Sequence, residues 1–244
     1  SIRYVQEMLS AVGAMNAGGV DGVYGKATTR AVRRFQKWVN SVQGAGTVPE
    51  DGKVDDRTRQ ALEYAYEQGI TGESMTIQTD AGLVHGKRIN EDTYRVRLNN
   101  PSVLELNYLN NIAYVELGNP GIPHALLEIP GLRWEDRELL RPMAEKIRHD
   151  PIFPKGVNVN FYTWLGENTV RILTYERGVE DYTLACGTGS GSLAALLWKT
   201  GQITDSLTAE NPGGKLTVTI TGENGTVTGL TLEGPAEYLG TYSL

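Results

Sequence analysis

Cys186 is followed at once by Gly187-Thr188-Gly189-Ser190-Gly191, and Glu176-Arg177-Gly178 stands ten residues before it. It is the only cysteine in 244 residues. A cysteine at a glycine-rich entry to a helix meets free backbone N–H groups and the positive end of the helix dipole. Those features stabilise a thiolate, whose parent thiol ionises near pH ~8.5 when free. The same N–H groups bind a carboxylate, because glycines let the backbone approach an anion closely. Thiolate and anion pocket together suit removal of a proton beside a carboxylate.

These residues need elements to hold them. Thr169-Val170-Arg171-Ile172-Leu173-Thr174-Tyr175 reads as a strand leading toward the cysteine, and Leu193 to Lys199 reads as an apolar helix that Gly201 ends. From Met75 onward, short alternating runs separated by turn residues predict strands at 75–79, 94–98, 103–107, 112–117, 124–129 and 157–164. Trp134 to His149 predicts an amphipathic helix with Leu139, Leu140, Met143 and Ile147 on one face. Two or three strands close the chain, over 215–221, 227–232 and 237–241.

The first seventy residues differ. Asp21-Gly22 and Asp51-Gly52 open two segments that repeat at a spacing of 30, each followed by Thr and by Ala with an aliphatic residue at equal offsets. Asp-Gly makes a tight turn, and a helix starts shortly after each. Val32, Phe35, Gln36 and Val39 share one side of the first helix; Leu62, Ala65 and Tyr66 share one side of the second. Val5 to Leu9 predicts another helix ahead of both. The fold class is therefore α+β: a small three-helix bundle over 1–70, then a strand-rich, barrel-like lobe over 71–244 wrapped around a central helix.

Composition narrows the partners. The net charge is −6 and no basic cluster interleaves with aromatics, which argues against nucleic acid. No apolar run reaches the ~18 residues of a membrane span. One cysteine forbids an intrachain disulfide and leaves the compartment open.

The run Glu176-Arg177-Gly178 with Ala185-Cys186-Gly187-Thr188-Gly189 resembles the second active-site motif of diaminopimelate epimerases, a family of cofactor-independent amino-acid racemases and epimerases. Further matches follow in order. Gly118-Asn119-Pro120, with Pro123-His124 behind, is similar to a GNPH motif interrupted by Gly121 and Ile122. Phe153-Pro154-Lys155-Gly156-Val157-Asn158-Val159-Asn160-Phe161 is similar to the family's FP…G-x-N-V-x-F. Ile77 to Gly82, Pro212-Gly213-Gly214 and Gly234-Pro235-Ala236 also match. The resemblance implies no cofactor and no metal, with an amino acid as substrate. It implies that Asn119, Asn158, Glu176 and Arg177 hold the far end of the substrate. The backbone at Gly187 and Thr188 would hold the reacting carboxylate, and Cys186 would move the proton. His124 is read equally as a packed or a catalytic histidine.

The segment Asp21 to Gln36 resembles a bacterial peptidoglycan-binding module with the signature DG-x-[YF]-G-x-x-T-x-x-A-V-x-x-FQ. Binding of glycan or stem peptide and a plain scaffold role both remain open, and a groove bordered by Tyr24, Arg30 and Arg34 is the expected ligand surface. The family's first cysteine, in a CGNG-x-R motif, has no counterpart here. A homodimer or a separate N-terminal lobe would have to complete a two-sided site. Three functions follow: an epimerase, a cell-wall binding protein, or a structural fusion. The first implies the cytoplasm and the second the cell wall or export.

Overall fold

A computed structural model describes residues 1–69, 74–79, 82–90, 92–109 and 111–236. They form two compact units, one of Ser1–Tyr94 joined by Ala236 and one of Arg95–Pro235.

The first unit opens with three helices, α1 (Ile2–Ala11), α2 (Lys26–Gln43) and α3 (Asp56–Glu67). Their shared core holds Met8, Leu9, Val32, Phe35, Val39, Val48 and Leu62, all 2% exposed or less. What sets the helices in place is a polar device used twice. Gln6 Nε2 donates to Asp21 Oδ1 (2.8 Å), the Val23 carbonyl (3.0 Å) and Thr28 Oγ1 (2.9 Å), while its Oε1 accepts from Gly22 N (2.7 Å). Thirty residues later, Gln36 Nε2 donates to Asp51 Oδ1 (3.2 Å), the Lys53 carbonyl (2.8 Å) and Thr58 Oγ1 (3.1 Å), and its Oε1 accepts from Gly52 N (2.8 Å). Both glutamines are fully buried, so each must satisfy its amide internally. The Asp-Gly turn does so, and the positive φ of Gly22 and Gly52 explains the glycines. At the third place of the series, thirty residues beyond Gln36, stands Tyr66. It is 42% exposed rather than in the core and meets Tyr4 edge-on at 6.4 Å. The unit also contains the antiparallel hairpin of β1 (Ser74–Thr79) and β2 (Gly82–Arg88), the second of which the alternation pattern did not reveal.

The second unit contains the last four residues of β3 (Thr93–Leu98), then β4 (Pro101–Leu109), β5 (Ile112–Leu117), β6 (Ile122–Glu128), α4 (Arg137–Arg148), β7 (Asn158–Gly166), β8 (Thr169–Glu176), β9 (Asp181–Tyr182), α5 (Gly187–Lys199), β10 (Ser206–Asn211), β11 (Gly214–Glu223) and β12 (Thr226–Pro235). The strand order β3-β12-β11-β10-β8-β7-β6-β5-β4 is antiparallel where registers are resolved except at β6–β7 and β8–β10, with β9 added beside β8. The first and last strands of this stretch, β3 and β4, are consecutive in the chain, linked by Asn99-Asn100.

One face of this sheet surrounds α5. Val115 and Leu117 of β5, Leu126 of β6, Ile172 of β8, Leu207 of β10, Val218 of β11 and Leu230 of β12 all pack with Leu193, Leu196 and Leu197. The other face carries α4, through Leu140, Ala144 and Ile147 against Ala125, Val159, Phe161 and Leu173. Residues 159 and 161 thus face α4, leaving 158, 160 and 162 to the α5 side by the period of a strand. Two residues assigned to the buried face of α4 are outside it: Leu139 is 80% and Met143 45% exposed. The buried stripe runs 140-144-147, one helical row narrower than the run of apolar residues suggested. The strand expected over 237–241 lies outside the described residues, and β10 was not anticipated because only Leu207 and Ala209 mark its buried face, the third buried place being the polar Asn211.

Replacing Gln6 or Gln36 by alanine strands a carboxylate, a carbonyl, a hydroxyl and an N–H together, and each substitution is expected to destabilise the bundle by about 1–3 kcal/mol. Hydrogen-exchange mass spectrometry of the whole chain reads this as faster exchange in α1 and α2 peptides. Equal protection in the variants and the parent protein would count against the repeated device.

Candidate active site at the N-terminus of α5

Cys186 is the N-cap of α5, in extended conformation, and Gly189 N donates to its Sγ at 3.4 Å. The cap is sulfur instead of the usual oxygen, and it satisfies one of the N–H groups that a helix start leaves without a carbonyl. Ser190 anchors the same turn by donating its hydroxyl to the Cys186 carbonyl at 3.1 Å. The glycines are required by contact. A Cβ on Gly189 would collide with Asn160 Oδ1, and one on Gly187 would come within 2.7 Å of Leu232.

Around the sulfur lies a connected polar cluster from β6, β7 and β8. His124 Nε2 is 3.1 Å from Thr188 Oγ1, which is 3.6 Å from Cys186 Sγ. On its other side, His124 Nδ1 is 3.1 Å from Asn160 Nδ2. Thr174 donates to Asn160 Oδ1 at 2.9 Å. His124 is wholly buried, and that burial, with Arg177 acting in the same sense, depresses its imidazole to about 3. The ring is therefore neutral at physiological pH.

The sulfur departs from expectation. Burial pushes the Cys186 thiol up and outweighs the Thr188 hydroxyl and the Gly189 N–H, which lower it, while Glu176 adds to the rise. The resting group is a thiol rather than the thiolate that the helix start alone suggested, because the helix end sits inside the protein and desolvation penalises the charged form.

The other predicted residues divide. Asn158 is buried, donates to the Pro123 carbonyl at 3.0 Å and accepts from Arg177 N at 2.9 Å, so it ties the Arg177 backbone to the start of β6. The Arg177 guanidinium donates to the Lys155 carbonyl at 2.5 Å. Lys155 is itself held by the buried Glu116 carboxylate at 2.9 Å. The loop after Glu176 is fastened to α4 by Arg148–Glu180 (2.5 Å) and to its first half by Arg141–Asp181 (2.8 Å). Asn119 is not part of this cluster: it lies exposed in the turn between β5 and β6. The contiguous run Gly121-Ile122-Pro123-His124 instead carries Gly, Pro and His at the spacing of the GNPH motif, with Ile122 in the asparagine place. Contiguity was the signal that would have favoured His124. Asn160, Thr174, Lys155 and Glu116 had no such signal, since each acts through a partner distant in sequence.

In the helical unit, Tyr24 donates its hydroxyl to the Gly52 carbonyl at 2.9 Å and Arg34 donates to the Ala14 carbonyl at 2.9 Å, while Arg30 is exposed. Two of the three residues expected to border a ligand groove thus support the bundle's own turns. Among the described residues no group of three His, Cys, Asp or Glu side chains converges as a metal site would, and no helix is long and apolar enough to cross a membrane. A surface depression of about 410 Å³ lies at the opposite end of α5, beside Trp164, Glu167 and Gln202.

Among solved structures, a probable proline racemase from Agrobacterium radiobacter K84 superposes with a TM-score of 0.53 over 70% of this chain and 60% of that one, at 20% identity. A PhzF-family phenazine biosynthesis protein from Bacillus anthracis gives 0.50 over 78% and 73%, at 15% identity. The fold is the one these proteins share. Sequence carries the assignment further. Residues 117–239 match the family model for diaminopimelate epimerase, and residues 1–62 match that for a putative peptidoglycan binding domain. The diaminopimelate epimerase of Archaeoglobus fulgidus is 32% identical over 68% of this chain and 63% of its own length; that of Aquifex aeolicus is 35% identical over 63% and 57%. The chain belongs to the diaminopimelate epimerase family. It spans about six-tenths of the length of these two relatives.

Because folded His124 stays neutral while an unfolded histidine takes up a proton near pH ~6.5, the unfolded state binds more protons between that value and about 3. Stability of the second unit is therefore full above the unfolded value and falls as pH drops through that window. In urea unfolding at stepped pH, His124→Gln should flatten this dependence. An unchanged slope would show that the ring is not buried neutral.

Proposed function

We propose that this chain carries one side of a diaminopimelate-epimerase-like active site, in which Cys186 transfers a proton at Cα of an amino acid. The observation that supports this most is the placement of the only cysteine at the cap of α5, backed by Thr188 and His124. The substrate carboxylate would sit at the helix start, where Gly187 and Thr188 supply N–H groups and the dipole favours an anion. Asn158, Glu176 and Arg177 would hold the far end, a second amino-acid head group of the diaminopimelate kind. No cofactor enters this reading, because the carboxylate itself takes up the electron pair that Cα–H cleavage leaves.

Inversion needs two groups. A base on one face takes the Cα proton, and Cys186 in its resting thiol form delivers its own proton to the other face, becoming a thiolate held by Thr188 and Gly189. With Cys186 alone, its thiolate removes the proton, trades it with solvent and returns it to the same face. The second base would come from a further lobe or a second copy of the chain. This reading implies a cytoplasmic enzyme.

In heavy water, the chain alone is expected to introduce deuterium at Cα of diaminopimelate without inversion, and faster at higher pH, as the raised thiol ionises. Cys186→Ala should abolish it. NMR or mass spectrometry of the recovered amino acid decides, and no exchange either with or without a supplied first lobe rejects the enzymatic reading.

A second reading rests on residues 1–62, whose match is to a putative peptidoglycan binding domain. Here the protein is a non-catalytic binder at the cell wall that retains half of an amino-acid site. Cosedimentation with purified sacculi at low salt should then carry the chain into the pellet, and Arg177→Ala should weaken the contribution of stem peptides. A chain that stays in the supernatant excludes this role.

A further inference from the structure

We propose that Asn160 is a positioning residue for the proton transfer: it fixes the proton of His124 on Nε2 and thereby leaves the Thr188 hydroxyl to donate to the Cys186 sulfur. This rests on the reading of Cys186 as the proton-transfer group. The argument begins with what the Asn160 amide can face. Its Nδ2 lies 3.1 Å from the Ala125 carbonyl and 3.3 Å from the Asn158 carbonyl, two groups that only accept. Its Oδ1 receives the Thr174 hydroxyl. The amide is therefore held one way round, with its N–H₂ side toward His124 Nδ1 at 3.1 Å. A hydrogen on Nδ1 would point at those amide hydrogens, so Nδ1 accepts. A neutral ring that accepts at Nδ1 carries its proton on Nε2, and Nε2 then donates to Thr188 Oγ1 at 3.1 Å. With that oxygen receiving, the Thr188 hydrogen is free to turn to Cys186 Sγ, 3.6 Å away.

Donation thus runs in one direction, from Thr174 through Asn160, His124 and Thr188 to the sulfur. Asn160 is wholly buried, and the glycine at 189 is what lets its oxygen lie against the first turn of α5. After burial, the Thr188 hydroxyl is the strongest influence on the thiol and acts to lower it. The charged groups acting on the cluster are Glu176, on the sulfur, and Arg177, on the ring. A sulfur that becomes a thiolate during turnover therefore finds its donor already turned toward it, with no side chain left to reorient.

The test uses the whole chain and does not depend on catalysis. Nitrogen-15 NMR of histidine-labelled protein should show His124 as the neutral Nε2–H tautomer from pH 5 to 8. Since Cys186 is the sole cysteine, iodoacetamide alkylation followed against pH reports its ionisation. Asn160→Asp places an acceptor where the amide hydrogens were, so the proton should move to Nδ1. The alkylation midpoint should then rise by about one pH unit, roughly tenfold slower reaction below it. Thr188→Val should raise the midpoint similarly with the tautomer unchanged, and Thr188→Ser should restore it. An Nδ1–H ring in the unaltered protein overturns the proposal, as does a Thr188→Val profile that coincides with the parent. If Asn160 merely packs, Asn160→Asp lowers the melting temperature and leaves tautomer and profile in place. Should Asn160→Asp fail to fold, the parent tautomer and the Thr188 variants decide. Failure of the epimerase reading looks different: no deuterium enters Cα, while tautomer and alkylation behave as stated.

Discussion

Gly189 through Leu197 are all buried, so α5 has no face to offer water and must be enclosed. A helix apolar on every side cannot lie on a flat sheet without exposing half its surface. The sheet accordingly supplies strands from both stretches of its order, β4, β5 and β6 from one and β10, β11 and β12 from the other, to cover the helix. Leu193 and Leu197, wholly buried, are each worth about 1.5–3 kcal/mol for leaving water. Enclosure of the helix therefore brings its N-terminus inside the protein as well, together with N–H groups that need partners.

That second effect makes the site. A helix start in water would favour a charged cap; a buried one does not, and the Cys186 thiol is raised because desolvation there outweighs its hydrogen bonds. His124, Asn158, Asn160 and Thr174 are buried beside it, and the same desolvation that holds the histidine neutral requires each of them to find a partner. Packing and chemistry are consequences of one enclosure, and the polar network is the part of the core that apolar side chains could not fill without leaving backbone groups unsatisfied.

How much of this was legible depended on whether the signal was local. The cysteine with its glycines, the strand before it and the helix after it are all contiguous, and α5 appeared where the apolar run placed it. The repeat of Asp-Gly and Thr at a spacing of 30 marked two equivalent helix starts, and both turned out to rest on a glutamine. By contrast, α4 holds Leu139 and Met143 outside its buried stripe, since a row of apolar residues does not say how wide a face the sheet can cover. Asn119 drew attention through a familiar tripeptide, yet it occupies an exposed hairpin turn. The polar cluster beside Cys186 contains His124 instead, whose neighbours Asn160 and Thr188 are 36 and 64 residues away. Sequence separations of that size erase any spacing rule. The raised thiol was likewise hidden, because burial belongs to the assembled fold and not to the motif.

The tyrosine at the third place of the helical repeat has a different kind of consequence. Gln6 and Gln36 each bind an Asp-Gly turn that lies downstream of their own helix, so every copy of the unit recruits the next. Such a scheme has no intrinsic end: a glutamine at the next position would invite a further turn and a further helix, as tandem arrays do. Tyr66 breaks the recurrence. Its ring has no amide to satisfy and turns to Tyr4 on the first helix, so the last member of the series closes on the first. Fifteen residues beyond Tyr66 the sequence has Ala81-Gly82 where the earlier copies have Asp-Gly, so glutamine and turn lapse together and the bundle stops at its third helix.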